Sequence, residues 1–193
     1  RTPLVHIMPH WTWPIEGVIK TIRVYTNCEE IELLLNGESL GKKPLEADWV
    51  EYQVPYKSGR LEAVGYKAGK VVTSDVKETA GAPAKIILSV NREAINPDGK
   101  DVAFVTAQIC DKDGTIVPDA ENYVTFDVTG AGRLLGLGNG DPGSRENDKA
   151  GGRRAFSGLL MALIQSSGTQ GGTITVSASS ASLKGSVLTI RSE

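Results

Sequence analysis

The residues best placed to do chemistry open the chain, in the run His10-Trp11-Thr12-Trp13. Two indoles two positions apart face the same side of an extended segment, with His10 and Thr12 on the other. Flat indole faces are surfaces on which sugar rings stack. The competing use is packing, because tryptophan brings a large apolar area wherever it goes. Trp11 and Trp13 would then fill a groove against another domain, or staple the first strand to its own core. A second candidate is the polar run from Asn139 to Gly152, which lies between two apolar segments. Loops of this length without structure of their own are functional or disordered. Asp141 and Arg145 are its candidate contacts, either to sugar hydroxyls or to a neighbouring domain, against the plainer reading of a mobile surface loop.

Other clusters carry less. Glu29, Glu30 and Glu32 offer carboxylate pairs, but acid-base work needs carboxylates across a cleft with divergent pKa values. Along one strand they read as a charged outer face. Trp49, Tyr52, Tyr56 and Tyr66 suggest an aromatic platform, yet Trp49 and Tyr52 differ by an odd number and face opposite sides of one strand. Core and edge packing is the expectation there. Asp111-Lys112-Asp113-Gly114 begins like a calcium loop without its closing Glu, so a hairpin turn is expected. Gly136-Leu137-Gly138-Asn139-Gly140 runs into the turn residues Asp141-Pro142-Gly143-Ser144 where a dinucleotide fingerprint needs a helix, so nucleotide binding is rejected. His6, His10, Cys28 and Cys110 lack metal-ligand spacing. Neither a metal nor a cofactor is expected.

The elements that must hold these residues are strands. Apolar residues recur with a period near two, and Gly, Pro, Asn and Asp punctuate the runs every eight to twelve residues, the pattern of β-sandwiches. Ile22 and Val24 share one strand face, and Ile31, Leu33 and Leu35 share the next. Asn36-Gly37 suits a type I′ turn, with Glu38 to Lys42 returning. Trp49 to Val54, Arg60 to Tyr66 and Val71 to Lys77 complete a first module. The segment Thr79-Ala80-Gly81-Ala82-Pro83 marks a short boundary, which divides the 193 residues into domains 1–80 and 81–193. On this division Cys28 and Cys110 fall in different domains, and no disulfide is expected. The second domain reads as seven or eight strands: Lys85 to Val90, Val102 to Cys110, Tyr123 to Val128, Arg133 to Leu137, Ala155 to Ile164, Gly172 to Ala178 and Leu183 to Ile190. Phe156 to Ile164 would also suit a short helix, and its length favours a strand. The fold class expected is all-β, two tandem immunoglobulin-like β-sandwich domains.

With 40% apolar residues, 23% charged residues and a net charge of −2, nothing here attracts nucleic acid or anionic lipid. No run approaches the roughly 18 apolar residues of a membrane span. Nucleic acid and membrane are therefore not expected partners. The chain opens at Arg1 without a leader, which reads as a processed or truncated end.

The order His10-Trp11-Thr12-Trp13, Val24-Tyr25-Thr26-Asn27, Ile31 to Leu35 and Asn36-Gly37 resembles the module that follows the catalytic barrel in family 2 glycoside hydrolases, chiefly β-galactosidase-like enzymes. Ala82-Pro83-Ala84-Lys85-Ile86, Phe104-Val105-Thr106, Val117-Pro118-Asp119-Ala120, Val124-Thr125-Phe126, Gly136 to Pro142 and Ala155-Phe156-Ser157-Gly158 resemble the immunoglobulin-like C-terminal domain that comes next in the same enzymes. Two departures stand out. Thr12 replaces the Asn common between the tryptophans, and Ser144-Arg145-Glu146 stands where the family often carries a His after Asp-Pro.

The resemblance implies a retaining hydrolase in which one carboxylate is the nucleophile and another is acid then base, both on a barrel upstream of these residues. No catalytic residue carries over. The fragment alone is expected to be inactive, its partners being that barrel in the same polypeptide and an oligosaccharide. Its work would be to support the barrel and shape the substrate entrance through Trp11, Trp13 and His10, leaving a sticky apolar patch near the N-terminus in isolation. The alternative is an independent carbohydrate-binding or adhesin-like tandem, which fold alone does not exclude. An independent enzyme lacks a paired nucleophile and base. A periplasmic or secreted location is implied by the resemblance only.

Overall fold

The computed structural model describes residues 1–193, whose regular structure is sixteen strands and no helix. The chain is all-β and divides into two compact units, Arg1–Ala80 and Gly81–Glu193, each an immunoglobulin-like sandwich.

In the first unit the strands are β1 (Val5–Met8), β2 (Ile19–Thr26), β3 (Glu30–Leu35), β4 (Glu38–Pro44), β5 (Trp49–Pro55), β6 (Arg60–Lys67) and β7 (Lys70–Glu78). One sheet runs β1-β2-β5 and the other β4-β3-β6-β7. Alternation sends Ile22 and Val24 of β2, Ile31 and Leu33 of β3, and Val50, Tyr52 and Val54 of β5 into one core with Trp11, Leu61 and Ala63. Each such large side chain contributes about 1.5–3 kcal/mol by leaving water. The β3–β4 hairpin closes through Asn36 and Gly37 at φ 51° and 86°, the paired left-handed conformations of a type I′ turn.

The second unit contains β8 (Lys85–Val90), β9 (Ala94–Ile95), β10 (Val102–Cys110), β11 (Tyr123–Gly130), β12 (Gly132–Gly138), β13 (Gly152–Arg154), β14 (Leu159–Ser166), β15 (Gly172–Ser180) and β16 (Leu183–Ser192). The order is β12-β14-β10-β8, linked by a single parallel pairing of Lys85 with Lys184 to β16-β15-β11-β13, with β9 beside β16. Ala103, Val105, Ala107 and Ile109 face Leu160, Ala162 and Ile164 along one layer, while Val124, Phe126, Ile174 and Val176 line the other. The continuous strand expected from Ala155 to Ile164 is interrupted. Ser157 and Gly158 sit at φ 52° and 73° in a tight turn closed by mutual backbone bonds of Phe156 and Leu159. β14 therefore starts at Leu159, and Phe156 lies outside the named strands, in an isolated bridge with Leu159. Cys28 and Cys110 are buried free thiols, and burial pushes the Cys110 thiol pKa up.

Candidate functional site

The N-terminal tryptophans do not share a face. β1 ends at Met8, since Pro9 has no N–H with which to continue the ladder, and residues 9–18 contain bends and a turn but no strand, so the alternation of a strand does not apply to them. Trp11 is fully buried. Its ring stands edge-on to Tyr56 at 5.0 Å, and its Nε1–H donates to the Lys57 carbonyl at 3.0 Å. The Trp11 carbonyl accepts from the Thr79 hydroxyl at 2.7 Å. Thr12 accepts from the Ala80 N–H through its hydroxyl at 2.9 Å. Together Trp11 and Thr12 staple the entering segment to the end of its own unit, and the buried Trp11 ring offers no face to a sugar or another domain.

Trp13 is only partly buried and packs on the edge of the same core. His10 stacks on it at 4.3 Å with a 31° tilt, and the Lys20 ammonium lies 3.8 Å from its ring centre. His10 and Trp13 thus stay together at the surface while Trp11 leaves them. Leu4, Met8, Ile15, Val18 and Ile19, all within the first nineteen residues, are 43–64% exposed.

The remaining clusters of the first unit are locally engaged. Trp49 is exposed, while Tyr52 on the opposite face is buried, donates to the Ile31 carbonyl at 2.7 Å, and has its pKa pushed up to about 12 by burial first and the Glu32 charge second. Glu32 accepts from the hydroxyls of Tyr66 (2.6 Å) and Ser39 (2.7 Å), which hold its carboxyl below its ordinary value. A carboxyl so held stays ionised and makes a poor general acid near neutrality.

In the second unit, Asp111 is buried and fully occupied. One carboxylate oxygen accepts from the backbone N–H groups of Asp113, Gly114 and Thr115 at 2.9–3.0 Å, and the other from Gly81 at 2.8 Å. Burial opposes its ionisation, but these four donors outweigh burial and lower its pKa. The stretch that opens like a calcium loop is a turn tied by its own aspartate.

The 139–152 segment is held by Arg153. This guanidinium is buried, donates to Asp148, and reaches the carbonyls of Glu146 (3.4 Å) and Leu137 (3.5 Å). Lys149 ties the far side through the Leu135 carbonyl at 2.9 Å. Within this frame Asp141 and Arg145 come together. They line a cleft of about 250 Å³ with Glu121, Glu146, Arg154 and Phe156. Sequence reasoning singled out the first two and missed the last two. The signal was present in Arg154-Ala155-Phe156: Ala155 is buried, so the flanking charge and aromatic ring both face outward.

Comparison with known proteins places these features in a family. Residues 86–189 match the model for glycoside hydrolase family 2 C-terminal domain 5, and residues 17–73 match a domain of unknown function, DUF4982. The chain is 37% identical over 192 residues to β-galactosidase BoGH2A of Bacteroides ovatus, covering 98% of this chain and 22% of that protein. It is 38% identical over 146 residues to a putative β-glucuronidase of Formosa agariphila, covering 72% of this chain and 14% of the relative. A crystal structure of a β-glycosidase from Bacteroides vulgatus superposes with a TM-score of 0.94 at 36% identity, over 99% of this chain and 25% of that one. The chain thus spans less than a quarter of the curated relatives it matches.

Proposed function

Since the chain belongs to the family of glycoside hydrolase family 2 C-terminal domain 5, we propose that it is the non-catalytic accessory region of a β-galactosidase-like hydrolase, which supports a catalytic barrel in the same polypeptide. The observation that carries this reading is the apolar surface at its start. Ile15, Val18 and Ile19 are exposed in succession where the chain enters β2, and Met8 is exposed at the end of β1; exposed apolar surface of this kind marks interaction sites. The partly buried Trp13, capped by His10 and Lys20, lies in the same stretch of chain and would border the substrate entrance of the barrel. Trp11 fixes the path of this stretch by anchoring it to Lys57 and Thr79, and Thr12 adds a bond to Ala80. The relatives' names, β-galactosidase and β-glucuronidase, support a β-linked sugar as the substrate class of the whole enzyme. Its two carboxylates would come from the barrel.

The test mixes this chain with the separately expressed preceding region of its polypeptide and follows association by sedimentation and turnover of aryl β-galactoside and β-glucuronide. The chain alone should be inactive. It should associate with the preceding region, and an Ile15→Asp, Val18→Asp double variant should abolish association while keeping its own unfolding midpoint. Turnover by the chain alone, or no association at about 10 μM, a threshold corresponding to roughly −7 kcal/mol, contradicts the reading.

A further inference from the structure

We propose that the second unit carries its own binding groove for a neutral oligosaccharide, running along the outer face of the β13–β11 edge from Phe156 past Arg154 to Tyr123. Tyr123 and Arg154 are register partners across the two strands, and Phe156 follows Arg154 on the same outward side because Ala155 between them is buried. Two concavities meet at Arg154. One is the 250 Å³ cleft bounded by Phe156 and Arg145. The other, about 590 Å³, is bounded by Tyr123, Asn122 and the hydroxyls of Thr125, Ser179 and Ser182. Each concavity therefore has one exposed aromatic ring, Phe156 at 40% and Tyr123 at 47%.

The Tyr123 ring is set in place by the backbone beneath it. A Cβ on Gly152 would come within 2.7 Å of its Cε1 and 2.8 Å of its hydroxyl, so only glycine lets the ring lie over β13. The polar atoms beside the rings are available. The guanidinium groups of Arg145 and Arg154 and the carboxylate of Glu121 have no partner within the chain, and the Asp141 carboxylate accepts only from the Gly143 N–H.

These parts select a ligand class. Aromatic faces take the apolar face of a pyranose ring, while guanidinium donors and carboxylate acceptors bind neighbouring hydroxyls. Arg145 and Arg154 are offset by Glu121, Asp141 and Glu146, which leaves no positive excess to attract a polyanion. Addition of a peptide strand at Arg154 is blocked. Its N–H already donates to Glu146 and its carbonyl accepts from the Asn139 amide, so this part of the sheet edge is covered. Two concavities in line suit at least two sugar units.

The test is calorimetric titration of the chain with neutral tetrasaccharides from galactan, xylan, cellulose and mannan, and with tetragalacturonate as the acidic control. At least one neutral glycan should saturate. Arg154→Ala, Phe156→Ala and Tyr123→Ala should each weaken it about tenfold or more, equivalent to 1.4 kcal/mol, with unchanged urea midpoints. Gly152→Ala should weaken it by displacing the Tyr123 ring, and Trp13→Ala should not affect it. Silence with every glycan on the order of 10 mM, tighter binding of tetragalacturonate, or binding indifferent to Arg154→Ala overturns the proposal. None of these results bears on association with a barrel, which uses the first unit.

Discussion

The Trp11 segment and the Arg154 groove each put aromatic rings beside polar atoms, and they differ in what those atoms have left to offer. Around Trp11 the indole N–H, the backbone carbonyl and the adjoining Thr12 hydroxyl all have partners within the unit, and the ring is fully buried. Around Arg154 two rings are exposed and two guanidinium groups are unpaired. Residue type and spacing leave the tryptophans open to sugar stacking or to packing on their own core, and burial gives Trp11 the packing role. Unpaired donors and exposed rings favour the second region, which is the basis of the proposed groove. An aromatic residue recognises a ligand only with the surface that folding has not already covered.

Substitutions at four positions sharpen that contrast, from the largest effect to the smallest. Trp11→Ala should cost the first unit about 4 kcal/mol, the range for deleting a fully buried aromatic ring, measured by urea unfolding, and should leave groove binding intact. A loss under about 1 kcal/mol would mean that the ring is not a core element.

Asp111→Ala should cost the second unit about 3 kcal/mol, because four backbone donors lose a charged acceptor in a buried site. The same residue gives a pH signature. Its folded pKa lies below the ordinary 3.8, so its contribution is complete above about pH 4 and is lost as pH falls through the lowered value. The stability gap between the parent and Asp111→Asn should therefore narrow in acid below that point and stay flat from pH 5 to 8. A gap that widens in acid would reverse the assigned sign.

Arg153→Met should cost about 2 kcal/mol, since it removes a buried cation whose main partner, Asp148, is itself exposed. Amide exchange across 139–152 should accelerate, and groove binding should weaken indirectly. Arg154→Ala, one residue on, should change stability by no more than about 0.5 kcal/mol while weakening the oligosaccharide. Equal stability losses at the two arginines would erase the distinction between the residue that builds the loop and the residue that faces out from it.

Much of the fold was legible because alternation and turn chemistry are local. Ile22, Val24, Ile31 and Leu33 point inward as their spacing requires, and Asn36-Gly37 adopts the left-handed pair its residues favour. The failures have a common cause. Strand periodicity does not govern Trp11 and Trp13, which lie in a stretch that prolines Pro9 and Pro14 keep out of any ladder. Ser157-Gly158 passed for strand interior because Ser157 gives no warning of its positive φ. At the second candidate site, Asp141 and Arg145 were visible as polar loop residues. Arg153 was not, since its burial depends on Asp148, Glu146 and Leu137 converging on it from both ends of the loop. Tyr123 and Arg154 become neighbours only through strand pairing, a long-range relation that no short window contains.

The most direct measurement is one titration of isotope-labelled chain with the neutral tetrasaccharides, followed by amide and indole N–H shifts, because the three tryptophans each report their own resonance. The account predicts saturable shifts at Tyr123, Arg154 and Phe156, with the indole signals of Trp11 and Trp13 unmoved. Shifts centred on those two indoles, with the groove silent, would contradict it and return recognition to the N-terminal segment.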